Sequence, residues 1–241
     1  MEAGDPYTIL FRAPTDNDYV DFGLRNSMAD FITEKEEGVT VESRDSSIVA
    51  KTCIRTGKAV FECTDTYEAC PAGVLVTSRL HCVKGKGDLP RFGKTFVLDT
   101  SFDNVEYYGR DGESYADMKD QAPIREVSCT VSDMTEPNIR PQESGNRMDC
   151  RWVKVSDGNV WVKFTAVDRP FELGIKPYSD RALLDMKHRE DEVRTGTYVT
   201  LSAFQKGIGT GICGPATRPE YCYSANKDYE LKFIISTGRN Y

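Results

Sequence analysis

Short runs in which apolar and polar residues alternate recur along most of the chain. This period of two places the apolar side chains on one face of an extended strand, whereas a helix needs a period near 3.6. The clearest runs lie at residues 58–66, 74–83, 127–131 and 198–204. Because such runs are spaced by roughly 8 to 12 residues and are joined by polar turns, the sequence predicts an all-β sandwich of antiparallel strands.

The strongest local signal is a hairpin. Residues 151–155 and 160–164 both alternate, and Asp157 and Gly158 lie between them. An Asp-Gly pair supplies the positive φ that a tight reversal needs. We therefore predict two paired strands joined by this turn.

Two segments have helical spacing instead. In the first, apolar residues at positions i, i+4, i+7 and i+8 predict an amphipathic helix that ends before Gly38. Those apolar residues are Leu24, Met28, Phe31 and Ile32. In the second, Ser179 is a suitable N-cap for a helix that carries Leu183, Leu184 and His188. The predicted fold is thus all-β with one or two short helices.

Charge and cysteine content exclude several functions. The chain has 38 acidic and 31 basic residues and a formal net charge of -7, so no basic stripe is available to neutralise phosphates. We predict no nucleic-acid partner and no membrane partner, since no segment approaches the ~20 apolar residues of a membrane span and residues 1–5 lack a signal-like start. The eight cysteines contain no C-x-x-C pair, which indicates reduced, mostly buried thiols in a cytoplasmic protein.

Residues 209–214 match the G-x-G-x-x-G pattern of dinucleotide-binding loops. That pattern works by presenting a helix N-terminus to a pyrophosphate. Here Pro215 and Pro219 follow at once, and the second of them forbids a regular helix. We interpret the segment as a glycine-rich turn between strands and assign no cofactor to this chain.

The histidines give no catalytic site. Only His81 and His188 are present, the first in a predicted strand and the second on the predicted helix after Ser179. Each is interpreted as a structural or solvated side chain rather than the base of a nucleophilic triad. The cysteines and histidines also lack the paired spacing of zinc ligands. No catalytic and no metal-binding residue is predicted.

Two polar clusters could bind a ligand. Asp16, Asn17 and Asp18 could hold a cation or a sugar hydroxyl, but helix capping is the favoured interpretation. The second cluster mixes carboxylates with tyrosines, which suits either sugar recognition or an ordinary sandwich rim. Its members are Glu106, Tyr107, Tyr108, Asp111, Glu113 and Tyr115. The residues alone therefore indicate a soluble β-sandwich that could bind a polar ligand.

Several longer motifs resemble one enzyme family. Residues 11–18 read F-R-A-P-T-D-N-D, which is similar to the W-R-A-P-T-D-N-D segment that opens the C-terminal domain of glycoside hydrolase family 2 β-galactosidases. Further motifs keep the family's order: L-P-R-F-G at 89–93, V-E-Y-Y-G-R at 105–110, E-S-Y-A-D at 113–117, R-P-Q-E-S-G-N-R-M-D at 140–149 and G-I-G-T-G-I-C-G-P at 207–215. The chain therefore resembles this domain, or small chain, from about residue 9 to its end.

The resemblance implies a β-supersandwich similar to galactose mutarotases, with residues 1–8 as a leader or linker remnant and residues 9–241 as the domain. In this family the two catalytic glutamates of a retaining glycosidase belong to a separate (β/α)8 barrel, which this chain lacks. We therefore expect a non-catalytic domain or small subunit of a β-galactosidase that cleaves terminal β-D-galactosides such as lactose. By itself the chain is expected to be inactive.

The same resemblance implies rim residues and partners. Cys213 occupies the position of a family tryptophan that stacks on the leaving-group sugar, and Gly211 and Asp18 are expected at the same rim. The expected partners are the remaining domains or large subunit, with galactoside bound only in the assembled enzyme, which is expected to be a homo-oligomer. Related full-length enzymes use Mg and Na, but no residue here resembles their ligands.

Two alternative functions remain open at this point. One is a free-standing carbohydrate-binding module. The other is an aldose epimerase of the mutarotase type, which needs a general acid and base across the sugar ring. His81 and His188 are the only imidazoles that could serve, and neither lies in an epimerase-like motif.

Overall fold

The computed structural model describes residues 6–21, 35–209 and 217–240, and strands dominate it. Two short α-helices are present in these ranges, α1 (Asp16–Asp21) and α2 (Asp180–Asp185). The strands are β1 (Tyr7–Ile9), β2 (Lys35–Arg44), β3 (Ser47–Arg55), β4 (Ala59–Cys70), β5 (Gly73–Gly85), β6 (Arg91–Leu98), β7 (Asn104–Arg110), β8 (Ile124–Thr130), β9 (Arg147–Cys150), β10 (Trp152–Ser156), β11 (Val160–Ala166), β12 (Phe171–Lys176), β13 (Thr197–Gln205) and β14 (Tyr229–Arg239). The predicted all-β class is confirmed.

The strands form two sheets. The smaller sheet has five strands in the order β1-β6-β13-β12-β9, and the larger has nine in the order β2-β3-β4-β5-β14-β11-β10-β7-β8. Every neighbouring pair is antiparallel. The alternating pattern predicted antiparallel strands, and the two sheets match the supersandwich that the family resemblance implies.

The core lies between the two sheets and contains an aromatic cluster. Phe96 of β6 approaches Phe164 of β11 at 4.7 Å and Phe233 of β14 at 5.8 Å between ring centroids. Phe164 and Phe233 are fully buried. Tilted and edge-on contacts of this kind add to the free energy of burial. Period-two alternation produces this arrangement, because it turns every second residue of both sheets inward.

The predicted hairpin is confirmed as β10 and β11, with Trp152 opposite Thr165 and Ser156 opposite Trp161. Gly158 has the positive φ, 95°, that the Asp-Gly pair predicted. The Asp157 carboxylate accepts hydrogen bonds from the backbone N–H groups of residues 159 and 160, at 2.7 and 2.8 Å. These bonds lower the pKa of Asp157. The turn is therefore specified locally.

Of the other alternating runs, those at 58–66, 74–83 and 198–204 lie in β4, β5 and β13. The run at 127–131 ends one residue early, because Val131 begins a single-turn 3-10 helix, Val131–Met134. Tyr7 and Thr8 pair with Thr95 and Lys94 of β6, so the sheet begins two residues before the predicted domain boundary at residue 9.

Helix α2 is shorter than predicted. Ser179 caps it as expected, since its hydroxyl accepts from the Ala182 N–H at 3.0 Å. The helix ends at Asp185, however, and His188 lies beyond it. The Asp191 carboxylate accepts from the N–H groups of Lys187 and His188, at 2.9 and 3.0 Å, and so removes donors that a longer helix would need.

The first predicted helix, at Leu24–Ile32, lies outside the described residues. Strand β2 already runs through Gly38.

Of the seven described cysteines, Cys63 and Cys150 are buried, whereas five are only half-buried, so the prediction of mostly buried thiols is wrong. None of these seven forms a disulfide. Within the described ranges, no helix is long and apolar enough to cross a membrane.

Candidate functional site

Arg12 is the centre of a buried clamp. Its side chain is fully buried and donates to both carboxylate oxygens of Asp18, at 3.1 Å from Nε and 2.7 Å from Nη2. The same guanidinium donates to the backbone carbonyls of Lys206 and Gly207. Burial alone would lower the pKa of Arg12, but Asp18 outweighs it and raises that pKa. Arg12 thus stays charged and holds the chain just after β13.

Asp18 also caps α1. Its carboxylate accepts from the Thr15 N–H at 2.9 Å, and the Thr15 hydroxyl accepts from the Asp18 N–H at 3.3 Å. This reciprocal pair is a capping box, which satisfies two donors at the start of the helix. Of residues 16–18, only Asp18 therefore caps a helix, whereas Asp16 accepts from Arg140 and Asn17 donates to the Ile208 carbonyl. Asp18 itself is 2% exposed, with both oxygens engaged.

Asn17 and Asp117 grip the next residues of the same segment. The Asn17 amide donates to the Ile208 carbonyl at 3.1 Å. The Asp117 carboxylate accepts from the N–H groups of Ile208 and Gly209, at 3.2 and 2.9 Å. Together with Arg12, these side chains bind the backbone of residues 206–209 from two sides. We call this segment the loop base.

Positions 207 and 209 of the loop base require glycine because the side chains of Asp117 and Asn17 lie so close to the backbone there. A Cβ on Gly207 would lie 2.7 Å from the Asp117 carboxylate carbon. A Cβ on Gly209 would lie 2.4 Å from the Asn17 amide nitrogen, and Gly209 has a φ of 140°. Glycine permits such a close approach of the backbone to another surface, which here is formed by the side chains of Asn17 and Asp117.

A second buried cluster lies behind the clamp. Glu143 binds Arg91 and Lys176, both at 2.8 Å, and Asp180 binds the same two cations at 3.1 and 2.8 Å. Each of these four side chains is at most 5% exposed. Burial alone would raise the pKa of Asp180, but Lys176 and Arg91 outweigh it and hold that pKa below its ordinary value. The cluster ties β6, β12 and α2 together.

A third group connects the end of β13 to the neighbouring strand β12 and to Asn146, just before β9. Asn146 donates to Glu172 at 2.7 Å and accepts from the Gln205 amide at 2.8 Å. The Gln205 N–H also donates to Glu172 at 3.1 Å. Burial raises the pKa of Glu172 to about 7, only partly offset by these two donors. Glu172 is therefore a buried carboxyl that titrates near neutral pH.

The structure places the predicted rim residues as follows. Asp18 lies beneath the loop base, 2% exposed, and bound to Arg12. Gly211 and Cys213 lie outside the described residues. Of the predicted glycine-rich turn at residues 209–214, only Gly209 is described; it is non-helical and follows β13, which ends at Gln205. Pro219 begins a single-turn 3-10 helix, Pro219–Tyr221.

The carboxylate and tyrosine cluster does not form one site. Glu106 binds Lys154 at 2.9 Å, Asp111 binds Arg125, and Glu113 accepts from the Gly145 N–H at 2.8 Å. Tyr107 and Tyr115 are buried, whereas Tyr108 is partly exposed. The interpretation as an ordinary rim fits this dispersion better than sugar recognition does.

In the described part of the chain, the His81 ring is hydrogen-bonded to the Asp228 carboxylate and not to a Ser, Thr or Cys side chain. His81 is exposed and binds Asp228 at 2.9 Å, which raises the pKa of the imidazole. His188 is also exposed. No group of three or more His, Cys, Asp or Glu residues that could hold a metal ion is found among the residues the structure describes.

Sequence reasoning missed most of the residues that hold the loop base. Asn17 was named with Asp16 and Asp18 as a possible ligand cluster, but Arg12 and Asp117 were not selected as site residues, and neither was Glu143 of the second buried cluster. Asp117 is 91 residues from Ile208 in the chain, so no local periodicity could connect them. All four lie within the motifs that resemble β-galactosidases. Membership of those motifs is the one signal that could have found them.

These contacts define a class of protein: an antiparallel β-sandwich domain that uses buried charges to fix the backbone of residues 206–209, just after β13. The clamp and clusters can position a loop but offer no exposed acid and base pair.

The sequence profile of the family described as "Beta galactosidase small chain" matches residues 3–235. The β-galactosidase of Staphylococcus xylosus is 29% identical over 243 residues, which cover 94% of this chain and 23% of the relative. That of Streptococcus thermophilus is 31% identical over 175 residues, which cover 70% and 17%. A galactose mutarotase related enzyme from Lactobacillus acidophilus has a TM-score of 0.48 at 10% identity, covering 98% of this chain and 83% of that one.

The chain therefore belongs to the β-galactosidase small-chain family. It spans about a quarter of the length of the curated relatives that it matches over most of its own length.

Proposed function

We propose that this chain is the non-catalytic C-terminal domain or small subunit of a cytoplasmic β-galactosidase that cleaves terminal β-D-galactosides such as lactose. Its role is to complete the rim of an active site whose catalytic carboxylates belong to the rest of the enzyme. The observation that carries this proposal is that Arg12, Asn17 and Asp117 form hydrogen bonds with the backbone of the loop base. Hydrogen bonds of this kind fix the start of a loop, which is needed where the loop's tip must be positioned accurately against a substrate.

Catalysis by this chain is not part of the proposal. A retaining glycosidase needs two accessible carboxyl groups about 5 Å apart. Glu143 and Asp180 share two cations, but both are buried and neutralised by Arg91 and Lys176. A structural role accounts for that pair fully.

In the assembled enzyme the loop that continues through Gly211 and Cys213 lines the leaving-group side of the active site. Cys213 takes the position of the family's stacking tryptophan, and Asp18 contributes through Arg12. The remaining domains or large subunit are the partners, and the complete enzyme is a homo-oligomer. Any Mg or Na belongs to those other parts of the enzyme.

The test uses the purified chain and a matching large fragment of a β-galactosidase. The chain alone should not hydrolyse a nitrophenyl β-galactoside, and the mixture should. An Asp117→Asn chain should assemble equally well but restore less activity, because the loop base loses its charged acceptor. Hydrolysis by the repurified chain alone, or folded partners that never associate at micromolar concentrations, would contradict the proposal.

A further inference from the structure

A cleft between the two sheets is lined by residues other than those of the loop base and its clamp. It has a volume of about 520 Å³ and opens beside the paired ends of β5 and β14, with β13 behind it. Arg79, His81, Arg169, Tyr223 and Asp228 contribute to its lining. A cleft of this size, with a few converging polar groups, is typical of small-molecule sites.

Aromatic rings form one wall of the cleft. Phe204 stacks on Tyr223 at 4.0 Å between centroids with 14° between the rings, and Tyr229 lies 4.5 Å from Phe204. The Tyr229 hydroxyl donates to the Ser224 carbonyl at 2.7 Å. The Tyr223 hydroxyl makes no hydrogen bond to any residue in the described ranges. This wall therefore offers ring surface together with one hydroxyl that can bond a ligand.

One cation in the cleft lining has no carboxylate partner among the described residues, whereas the other charged side chains are paired. Arg79 binds Glu230 at 2.8 Å, and His81 binds Asp228 at 2.9 Å, so each of these carboxylates already has a partner. The Arg169 guanidinium is exposed and forms no ion pair with the residues that the structure describes. Arg169 is thus a cation of the lining that no carboxylate of the described residues neutralises.

Arg169 is held at that point by a constrained turn. Asp168, just before it, has a φ of 66°, which is uncommon for a residue with a side chain. The Asp168 carboxylate binds Lys232 of β14 at 2.9 Å, and the Arg169 N–H donates to the Val167 carbonyl at 2.8 Å. Unusual backbone conformations of this kind concentrate at binding sites.

We propose that this cleft binds a sugar acid, a pyranose ring that carries one carboxylate. The carboxylate pairs with Arg169, whose planar guanidinium suits two parallel hydrogen bonds. The ring lies against the aromatic wall, and its hydroxyl groups bond the Tyr223 hydroxyl and the carboxylates of Asp228 and Glu230. A ligand with many hydroxyls fits these acceptors better than an apolar acid does.

The test is calorimetric titration of the chain with galacturonate, with galactose as the same ring without the carboxylate, and with benzoate as an apolar acid. Galacturonate should bind saturably, and at least about tenfold more tightly than either comparison ligand. Added salt should weaken the binding. Equal affinity for galactose would overturn the proposal, as would tighter binding of benzoate or the absence of galacturonate binding.

Two arginine variants locate the binding. Arg169→Gln should weaken galacturonate by about tenfold or more and leave galactose unchanged. Arg181→Gln is the matched control, since Arg181 is also exposed and lies on α2, beyond the far end of β12. It should bind galacturonate as the parent does. Equal melting temperatures would show that both variants fold, and an unchanged affinity in folded Arg169→Gln would overturn the proposal.

Discussion

The loop base and the outer strands of the larger sheet use charge in opposite ways. Beneath the loop base, Arg91 and Glu143 are almost completely buried and fixed by several partners. On β2 and β3, the pair of Arg55 and Glu37 is exposed at 3.2 Å. Exposed pairs contribute about 0 to 1 kcal/mol, whereas losing one partner of a buried pair costs far more. Charge therefore fixes geometry near the loop base but contributes little at the sheet edge.

The largest expected effect comes from breaking the buried cluster. Glu143→Gln leaves Arg91 and Lys176 with one carboxylate to share, so the free energy of unfolding should fall by about 3 to 5 kcal/mol. Urea unfolding measures this change. Arg55→Gln is the control and should cost about 1 kcal/mol or less. Similar losses in both variants would remove the contrast between the two regions.

A second effect depends on pH. Because the pKa of Glu172 is raised to about 7 in the folded chain, from 4.5, the folded state holds an extra proton between these values. This stabilisation is complete below pH 4.5 and is lost as the pH rises through about 7, a change on the order of 3 kcal/mol.

The Glu172→Gln variant should lack that part of the pH dependence. The measurement is the difference in unfolding free energy between the two proteins across about pH 4 to 8, in roughly half-unit steps. If that difference does not vary with pH, Glu172 does not titrate in this window.

A smaller effect concerns the loop base alone. Asp117→Asn removes the charge that accepts from the Ile208 and Gly209 N–H groups, at a cost of about 2 kcal/mol to the local structure. Hydrogen exchange at these two amides should become faster, while exchange within β10 and β11 stays unchanged. Uniformly faster exchange would indicate general destabilisation rather than a released loop.

The smallest expected effect is on substrate selectivity in the assembled enzyme. Cys213→Trp adds an aromatic ring at the proposed leaving-group rim, worth about 1 to 2 kcal/mol, or about tenfold in acceptor affinity. Galactose affinity should barely change. Acceptor-dependent kinetics and melting temperatures of Cys213→Trp and Cys213→Ala decide this. Unchanged kinetics with a large loss of stability in both variants would identify Cys213 as a packing residue.

The sequence predicted features that arise within a few residues. Asp157 and Gly158 make their turn with immediate neighbours, and alternation identified β4, β5 and β13 because burial on one sheet face is itself periodic. The end of α2 was mispredicted because the Asp191 carboxylate, which lies after the helix in the chain, accepts from the Lys187 and His188 N–H groups. Those N–H groups would otherwise continue the helix. The buried clusters had no local signal, since their partners meet only after the sheets have formed.

The contact between Gly207 and Asp117 also limits which amino-acid substitutions this chain can accept during evolution. A methyl group at position 207 would need a shorter side chain at position 117, because the two would otherwise be 2.7 Å apart. That shorter side chain would in turn give up the acceptors for Ile208 and Gly209. Among related sequences, substitutions at these two positions should therefore be inherited together, and either substitution alone should be rare.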